Sequence, residues 1–319
     1  MLENAILQTL SHCTSAPFTL EDIRTLSTSK KRPILSGNGK HYLLLTHLHE
    51  GDKCLRKGKA KVPFFAIDLD TAEQKIVMVT KKAHCDPEQW EMVKQEIKMM
   101  EKCRGVPGII QIELARLTDE ESYVVMEYCN GGILLFALAT ISRPMGLQIA
   151  LDAALGLKNL HSLGILHRDI KPHNIFLIEH SPNVLKARIA DLGTATELTD
   201  PITMNKFYGT YLWLSPERAK VFTHQASNLL QVTTDKVDVW ALGCVFFMVL
   251  GAGVLEWQRN EPHQSALQCS HLQQSQVLHQ IHHSHLEPLY YPLLEGMLQV
   301  DPARRFTAAQ SYELLTSLL

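Results

Sequence analysis

Residues 167–174 read His167-Arg168-Asp169-Ile170-Lys171-Pro172-His173-Asn174, and Asp191-Leu192-Gly193 follows downstream. The octapeptide sets an acid, a lysine and an amide at fixed offsets on one short segment. Residues of these types suit phosphoryl transfer from a nucleotide. A carboxylate orients the attacking hydroxyl, a lysine steadies the moving phosphoryl group, and an amide oxygen with a second carboxylate holds magnesium.

Such a set works only if rigid elements position it. The chain has 319 residues, 45% of them hydrophobic, enough for one large domain or two lobes with separate cores. Residues 1–40 read as an N-terminal extension, with short helices over Leu2 to Leu10 and Leu20 to Leu26 and a polar linker from Lys30 to Gly39. Three strands follow, at His41 to His47, Val62 to Asp68 and Lys75 to Lys82. Helical spacing then runs over 86–103, with Trp90, Val93, Ile97 and Met100 on one face. Ile109 to Leu117 and Tyr123 to Cys129 read as two more strands, and Asn130-Gly131-Gly132 breaks the chain after them. The remainder is mostly helical, apart from short strands near Ile175 to Ile178 and Lys186 to Ile189. This predicts an α+β fold with a small β-rich lobe (41–129) and a larger helical lobe (130–319).

Bulk properties exclude some classes. A net charge of -2 and a pI near 6.8 do not suit a general nucleic-acid binder. Seven scattered cysteines without a C-x-x-C suit free thiols in a reducing, cytoplasmic setting. No signal peptide is expected, and Leu2 stands where myristoylation requires glycine. The 17-residue uncharged run from Val239 to Leu255 is flanked by Asp238 and Glu256 and contains three glycines; it reads as a buried core helix and not a membrane span.

From about residue 41 onward the chain resembles the eukaryotic-type serine/threonine protein kinases. After the octapeptide and Asp191-Leu192-Gly193 come Gly209-Thr210, Ser215-Pro216-Glu217, Asp238-Val239-Trp240 and Asp301-Pro302-Ala303-Arg304-Arg305, in the family's order. The resemblance implies a two-lobed kinase fold that uses ATP and Mg2+, with Mn2+ as an alternative ion, and a protein substrate. It makes Asp169 and Lys171 catalytic and Asn174 and Asp191 magnesium ligands. Glu217 and Arg305 become a buried ion pair, and Asp238 a brace for the catalytic loop. His167 would pack with Leu192 and Met100 and take no part as a base. Met126 would be the gatekeeper, the backbones of Glu127 and Cys129 would meet the adenine edge, and Phe176 would lie beneath the base.

In the small lobe a lysine on the third strand should reach the α- and β-phosphates. Strand alternation puts Lys81 on the face of Val79, so Lys81 is the better candidate and Lys82 the alternative. Val62 and Val79 complete the expected adenine pocket. Glu96, 15 residues beyond Lys81, is the expected acid partner, with Glu91 weaker.

Two segments depart from the family. No G-x-G-x-x-G joins the first two strands; the stretch from Glu50 to Val62 keeps only Gly51 and Gly58 and carries five basic residues. Either these side chains replace amide contacts to phosphate, or the loop is simply solvated. In the activation segment Lys206 stands where many relatives have a phosphorylatable residue. In the family Arg168 usually contacts such a phosphate; either Thr203 serves instead, or, as the better expectation, the loop is ordered without phosphorylation. The His-rich stretch 279–285 reads as exposed surface. Two other functions stay open beside the active kinase: a pseudokinase scaffold, suggested by the poor glycine loop, and a small-molecule phosphotransferase.

Overall fold

A strand covered on both faces carries a run of apolar side chains, as residues 76–79 do, and six strands here share one antiparallel sheet. A computed structural model of the chain describes residues 34–47, 61–181, 184–226 and 228–318. The expected helices before residue 30 and residues 50–60 of the basic stretch lie outside the described residues. The strands are β1 (Ile34–Gly37), β2 (Lys40–His47), β3 (Lys61–Asp68), β4 (Gln74–Lys81), β5 (Ile112–Leu117) and β6 (Glu121–Glu127), in the order β1-β2-β3-β4-β6-β5.

Strand β1 corrects one expectation, because residues 34–37 are not linker. They pair with β2 from Ile34↔Leu43 to Gly37↔Lys40. The turn between is Asn38-Gly39, with φ of 54° and 75°. Two positive φ values in a two-residue loop are what an Asn-Gly hairpin supplies, so the signal was present in the sequence.

Helix α1 (Pro87–Lys102) opens with reciprocal capping. The Gln89 N–H donates to Asp86 Oδ1 at 2.8 Å, and the Asp86 N–H donates to Gln89 Oε1 at 3.1 Å. Pro87 takes the first helical position, where a missing N–H costs nothing. Trp90, Val93 and Met100 are buried as expected, whereas Ile97 is only half-buried and Met99 joins the covered face.

The described chain forms two compact units. One holds the sheet and α1 through Ile97, with Gln111–Tyr128; the other holds Lys98–Ile110 and everything from Cys129 onward. In the second unit β7 (Gly132–Ile133), β9 (Ile175–Ser181) and β10 (Val184–Ile189) form one small sheet. Strands β8 (Ile165–Leu166) and β11 (Thr196–Glu197) form another. Around them lie α2 (Leu134–Ala137), α3 (Arg143–Ser162), α4 (Pro201–Met204), α5 (Pro216–Phe222), α6 (Leu229–Val232) and α7 (Asp235–Phe247). The last four are α8 (Pro262–Ser270), α9 (Gln274–His282), α10 (Tyr291–Met297) and α11 (Ala308–Ser317).

Every residue of α7 from Val237 to Phe247 is buried. The apolar run does not continue as one rod, however. A π turn spans Met248–Ala252, and Gly251 at φ 101° ends the helical path. Among the described residues no helix is long and apolar enough to cross a membrane.

Helix α3 runs against the backbone of Gly108, and Gly156 makes that approach. A Cβ at Gly156 would stand 2.5 Å from Gly108 O. The neighbour is backbone and cannot swing aside. Gly156→Ala is therefore expected to destabilise by about 1–3 kcal/mol, despite alanine's better helix propensity. Urea denaturation checks this, and an equal or higher midpoint would refute it.

Candidate active site

The catalytic-loop candidates come together within the second unit. Its sharp local geometry is carried by Arg168 at φ 68° and Asp191 at φ 61°. Non-glycine residues in the left-handed region are strained, at a cost of about 1–3 kcal/mol each, so the surroundings must over-determine them. Asp238 does this for Arg168. Its Oδ1 accepts the Arg168 N–H at 2.7 Å, and its Oδ2 accepts the His167 N–H at 2.8 Å and meets His161 Nε2 at 3.0 Å. Burial works against a charge on Asp238, yet these bonds outweigh it and hold the carboxyl below its ordinary pKa. The brace expected of Asp238 is thus in place.

His167 has both ring nitrogens committed. Nδ1 accepts the Asp169 N–H at 3.2 Å, which assigns the ring proton to Nε2, where it is donated to Ala190 O at 2.9 Å. A fully buried imidazole tied to backbone at both nitrogens orients the loop and is not a base.

Asp169 is the hub. Its Oδ2 accepts from Lys171 Nζ at 2.6 Å and from Asn174 Nδ2 at 3.2 Å, and its Oδ1 accepts from Thr210 Oγ1 at 2.8 Å. Lys171 Nζ also donates to Thr210 Oγ1 at 2.7 Å. The carboxylate, the ammonium and the hydroxyl therefore form a closed triangle, which fixes the rotamers of all three. The sequence offered Thr210 only as part of the Gly209-Thr210 motif; its direct bond to Asp169 adds it to the site.

Asn174 donates from Nδ2 to Asp169 O at 2.9 Å as well, and its own carbonyl accepts the Ala190 N–H at 2.9 Å. This ties Asn174 to the residue before Asp191. With Nδ2 turned inward, Asn174 Oδ1 is the amide's remaining ligand atom. An amide oxygen with the exposed Asp191 carboxylate is a hard-oxygen donor pair, which fits magnesium.

Arg168 shows how the activation segment is held. Its Nε donates to Thr194 O at 2.7 Å and its Nη1 to Thr203 O at 2.6 Å, and the guanidinium lies 4.8 Å over the Tyr208 ring. Burial first, and neighbouring Arg218 second, push its pKa down to about 10. The Thr203 hydroxyl meets Thr196 Oγ1, and its N–H is capped by Asp200 at the start of α4. The backbone carbonyls of 194 and 203 thus use Arg168 directly. Thr203→Ala is expected to lower activity by no more than about 3-fold, the scale of one neutral hydrogen bond. A much larger loss, matched by phosphate found on Thr203, would refute this.

Glu217 and Arg305 form the expected buried, bidentate pair, at 2.8 Å and 2.9 Å. Met100 and Leu192 are buried as their proposed packing role requires. Cys129 is buried and Phe176 half-buried, the latter paired with Ile133 across β7 and β9.

In the first unit the structure departs from expectation. Glu96 Oε2 is paired with Lys61 Nζ at 2.5 Å, not with Lys81. The cause is strand parity. Lys61 sits opposite Thr80, so Lys61, Thr80 and the α1 helix that carries Glu96 share one face of the sheet. Lys81 belongs to the other face, that of Val77 and Val79, which packs with Tyr42, Leu44, Ala66, Leu114 and Val125. Lys82 is exposed and opens a 3-10 turn. Glu91 pairs with Lys94.

Parity also divides the expected adenine pocket. Val62 and Val79 are direct cross-strand partners, on the Lys81 face. Met126 faces the other way, opposite Ile76 in register. No sequence signal marked Lys61 apart from the other basic residues around it.

Outside these sites, the His279 and His283 rings lie with centroids 4.0 Å apart, tilted by 31°, on exposed surface. Among the described residues no group of three or more His, Cys, Asp or Glu is placed to hold a metal. None of the five described cysteines is in a disulfide.

An antiparallel sheet with one long helix, a helical unit, and an Asp-Lys-Asn loop braced by a buried aspartate define a two-lobed protein kinase fold. The chain belongs to the protein kinase family, since the profile of the protein kinase domain matches residues 55–314. Its relatives are serine/threonine protein kinases. It is 32% identical over 237 residues to serine/threonine-protein kinase cds1 of Schizosaccharomyces pombe, covering 71% of this chain and 48% of that protein. It is 28% identical over 211 residues to serine/threonine-protein kinase DCLK1 of Rattus norvegicus, covering 65% and 45%. With serine/threonine-protein kinase Nek5 of Homo sapiens it shares 34% over 166 residues, covering 49% and 21%. The chain thus spans about half or less of the length of these relatives.

Proposed function

We propose that the chain is an active serine/threonine protein kinase that uses Mg-ATP. The observation that carries this reading is the triangle of Asp169, Lys171 and Thr210. It holds one carboxylate in a single orientation, beside the lysine the reaction needs.

In the proposed reaction the serine or threonine hydroxyl oxygen forms a bond to the γ-phosphorus of ATP. The bond from that phosphorus to the β–γ bridging oxygen breaks, and ADP leaves. Asp169 accepts a hydrogen bond from the hydroxyl, aims its lone pair, and takes the proton late. Lys171 balances charge on the moving phosphoryl group. Most of the acceleration comes from positioning and preorganised charge. Asn174 and Asp191 would hold the magnesium ion, which when bound neutralises phosphate charge. Tying Asn174 to both Asp169 and Ala190 keeps metal ligand and base in fixed register.

The test is transfer of radiolabelled γ-phosphate from ATP with magnesium to a generic basic protein, comparing wild type with Asp169→Asn. Label on serine or threonine that vanishes in the variant supports the reading. Nucleotide binding without transfer by the wild type favours the scaffold. Rapid labelling of aminoglycosides or choline, with no labelled protein, favours the small-molecule phosphotransferase.

A further inference from the structure

We propose that Lys61, on β3, is the lysine that binds the α- and β-phosphates of the nucleotide, and that Lys81 has no part in this. The inference rests on the reading of the chain as an ATP-using kinase and replaces the lysine that the sequence pattern favours.

Two independent observations carry it. The first is the ion pair. A phosphate-binding lysine must be held extended and charged, and an acid on the adjacent helix does both. Glu96 is the acid at the expected place on α1, and the Nζ it holds is that of Lys61, at 2.5 Å. The pair is neither sealed nor fully solvated, with side-chain exposures of 35% for Lys61 and 16% for Glu96.

The second is the register of the sheet. Reading across β3, β4 and β6, Lys61 lies opposite Thr80 and Thr80 opposite Ser122. In the same way Phe65 lies opposite Ile76, and Ile76 opposite Met126. Both rows share one face, since they are an even number of residues apart along every strand. Base and phosphates of one bound nucleotide must meet the same face. If Met126 borders the base, the lysine for the phosphates must also come from that face. Lys61 meets this condition and Lys81, one position out of phase, does not. The four-residue offset between the rows is about 13 Å along the strand, comparable with an extended nucleotide and within reach of a lysine side chain.

The test is isothermal titration of the full chain with a non-hydrolysable ATP analogue and magnesium, for wild type, Lys61→Met, Lys81→Met and Glu96→Gln. Lys61→Met is expected to weaken binding about 10- to 100-fold, the scale of a lost charged hydrogen bond, with Lys81→Met within about 2-fold of wild type. Glu96→Gln, which keeps an acceptor for Lys61 but not the charge, is expected to fall between them. Melting temperature without nucleotide checks the fold. Unchanged binding by Lys61→Met, or a loss in Lys81→Met as large as in Lys61→Met, overturns the proposal. A wild type that binds no nucleotide overturns both this and the kinase reading. A wild type that binds but transfers no label overturns the transfer reading alone.

Discussion

Asp169→Asn is expected to lower phosphoryl transfer by about 10²- to 10⁴-fold while leaving nucleotide affinity near that of the wild type. The size follows from what the carboxylate does at once. In the proposed reaction it is the proton acceptor for the substrate hydroxyl, and in the structure it is the counter-charge for Lys171 and the acceptor for the Thr210 hydroxyl. An asparagine can accept at one oxygen only, and its amide nitrogen would face a donor. The triangle then loses its order as well as its base. Affinity should survive because in this reading Asp169 meets the substrate hydroxyl and not the nucleotide. The check is single-turnover transfer at saturating ATP, beside titration with the non-hydrolysable analogue. Transfer at the wild-type rate would show that Asp169 is not the base. A parallel collapse of affinity would show that the substitution had damaged the loop and not only the chemistry.

Arg305→Met is expected to be the most destabilising single change in the second unit. It leaves Glu217 buried without its bidentate partner, which costs about 3–5 kcal/mol. Arg305 also donates to Gln299 O at 2.9 Å and Lys236 O at 2.8 Å and lies 5.0 Å over the Trp240 ring, so backbone acceptors and a ring contact are lost too. For a domain of this size that corresponds to a fall in melting temperature of about 6–20 °C. The double variant Glu217→Gln/Arg305→Met separates the causes. If the penalty is chiefly an unpaired buried charge, the double change costs less than the sum of the single ones. Additive losses would mean that the two side chains act independently, against their observed geometry.

The amino-acid sequence by itself determined the fold class, the order of the helical unit's motifs, and the clustering of the candidate catalytic residues Asp169, Lys171 and Asn174. These are legible because they lie within a few residues of one another. Local spacing nearly fixes where they can go, and a loop that holds a base, a lysine and an amide in five to eight positions has little freedom. The Asn38-Gly39 hairpin was legible for the same reason, although the surrounding polar residues led it to be read as linker. Thr210 was readable as a motif, yet its bond to Asp169, across 41 positions of chain, was not.

What only the tertiary structure decided is which side chains share a face. A strand's side chains alternate, so an error of one residue in register moves a lysine from one side of the sheet to the other. Sequence places Lys81 correctly near the end of β4, but it cannot say which face of β4 receives α1. That depends on pairing with β3 and β6, and it brings Lys61 to Glu96 across 35 positions of chain. The same parity puts Val62 and Val79 on the other face of the sheet from Met126. Likewise, the activation segment was expected to be ordered without phosphorylation, but that Arg168 holds it through the carbonyls of Thr194 and Thr203 depends on how the segment folds back. Local chemistry is written in neighbouring residues, whereas partners brought together by sheet register and chain reversal exist only once the whole fold has formed.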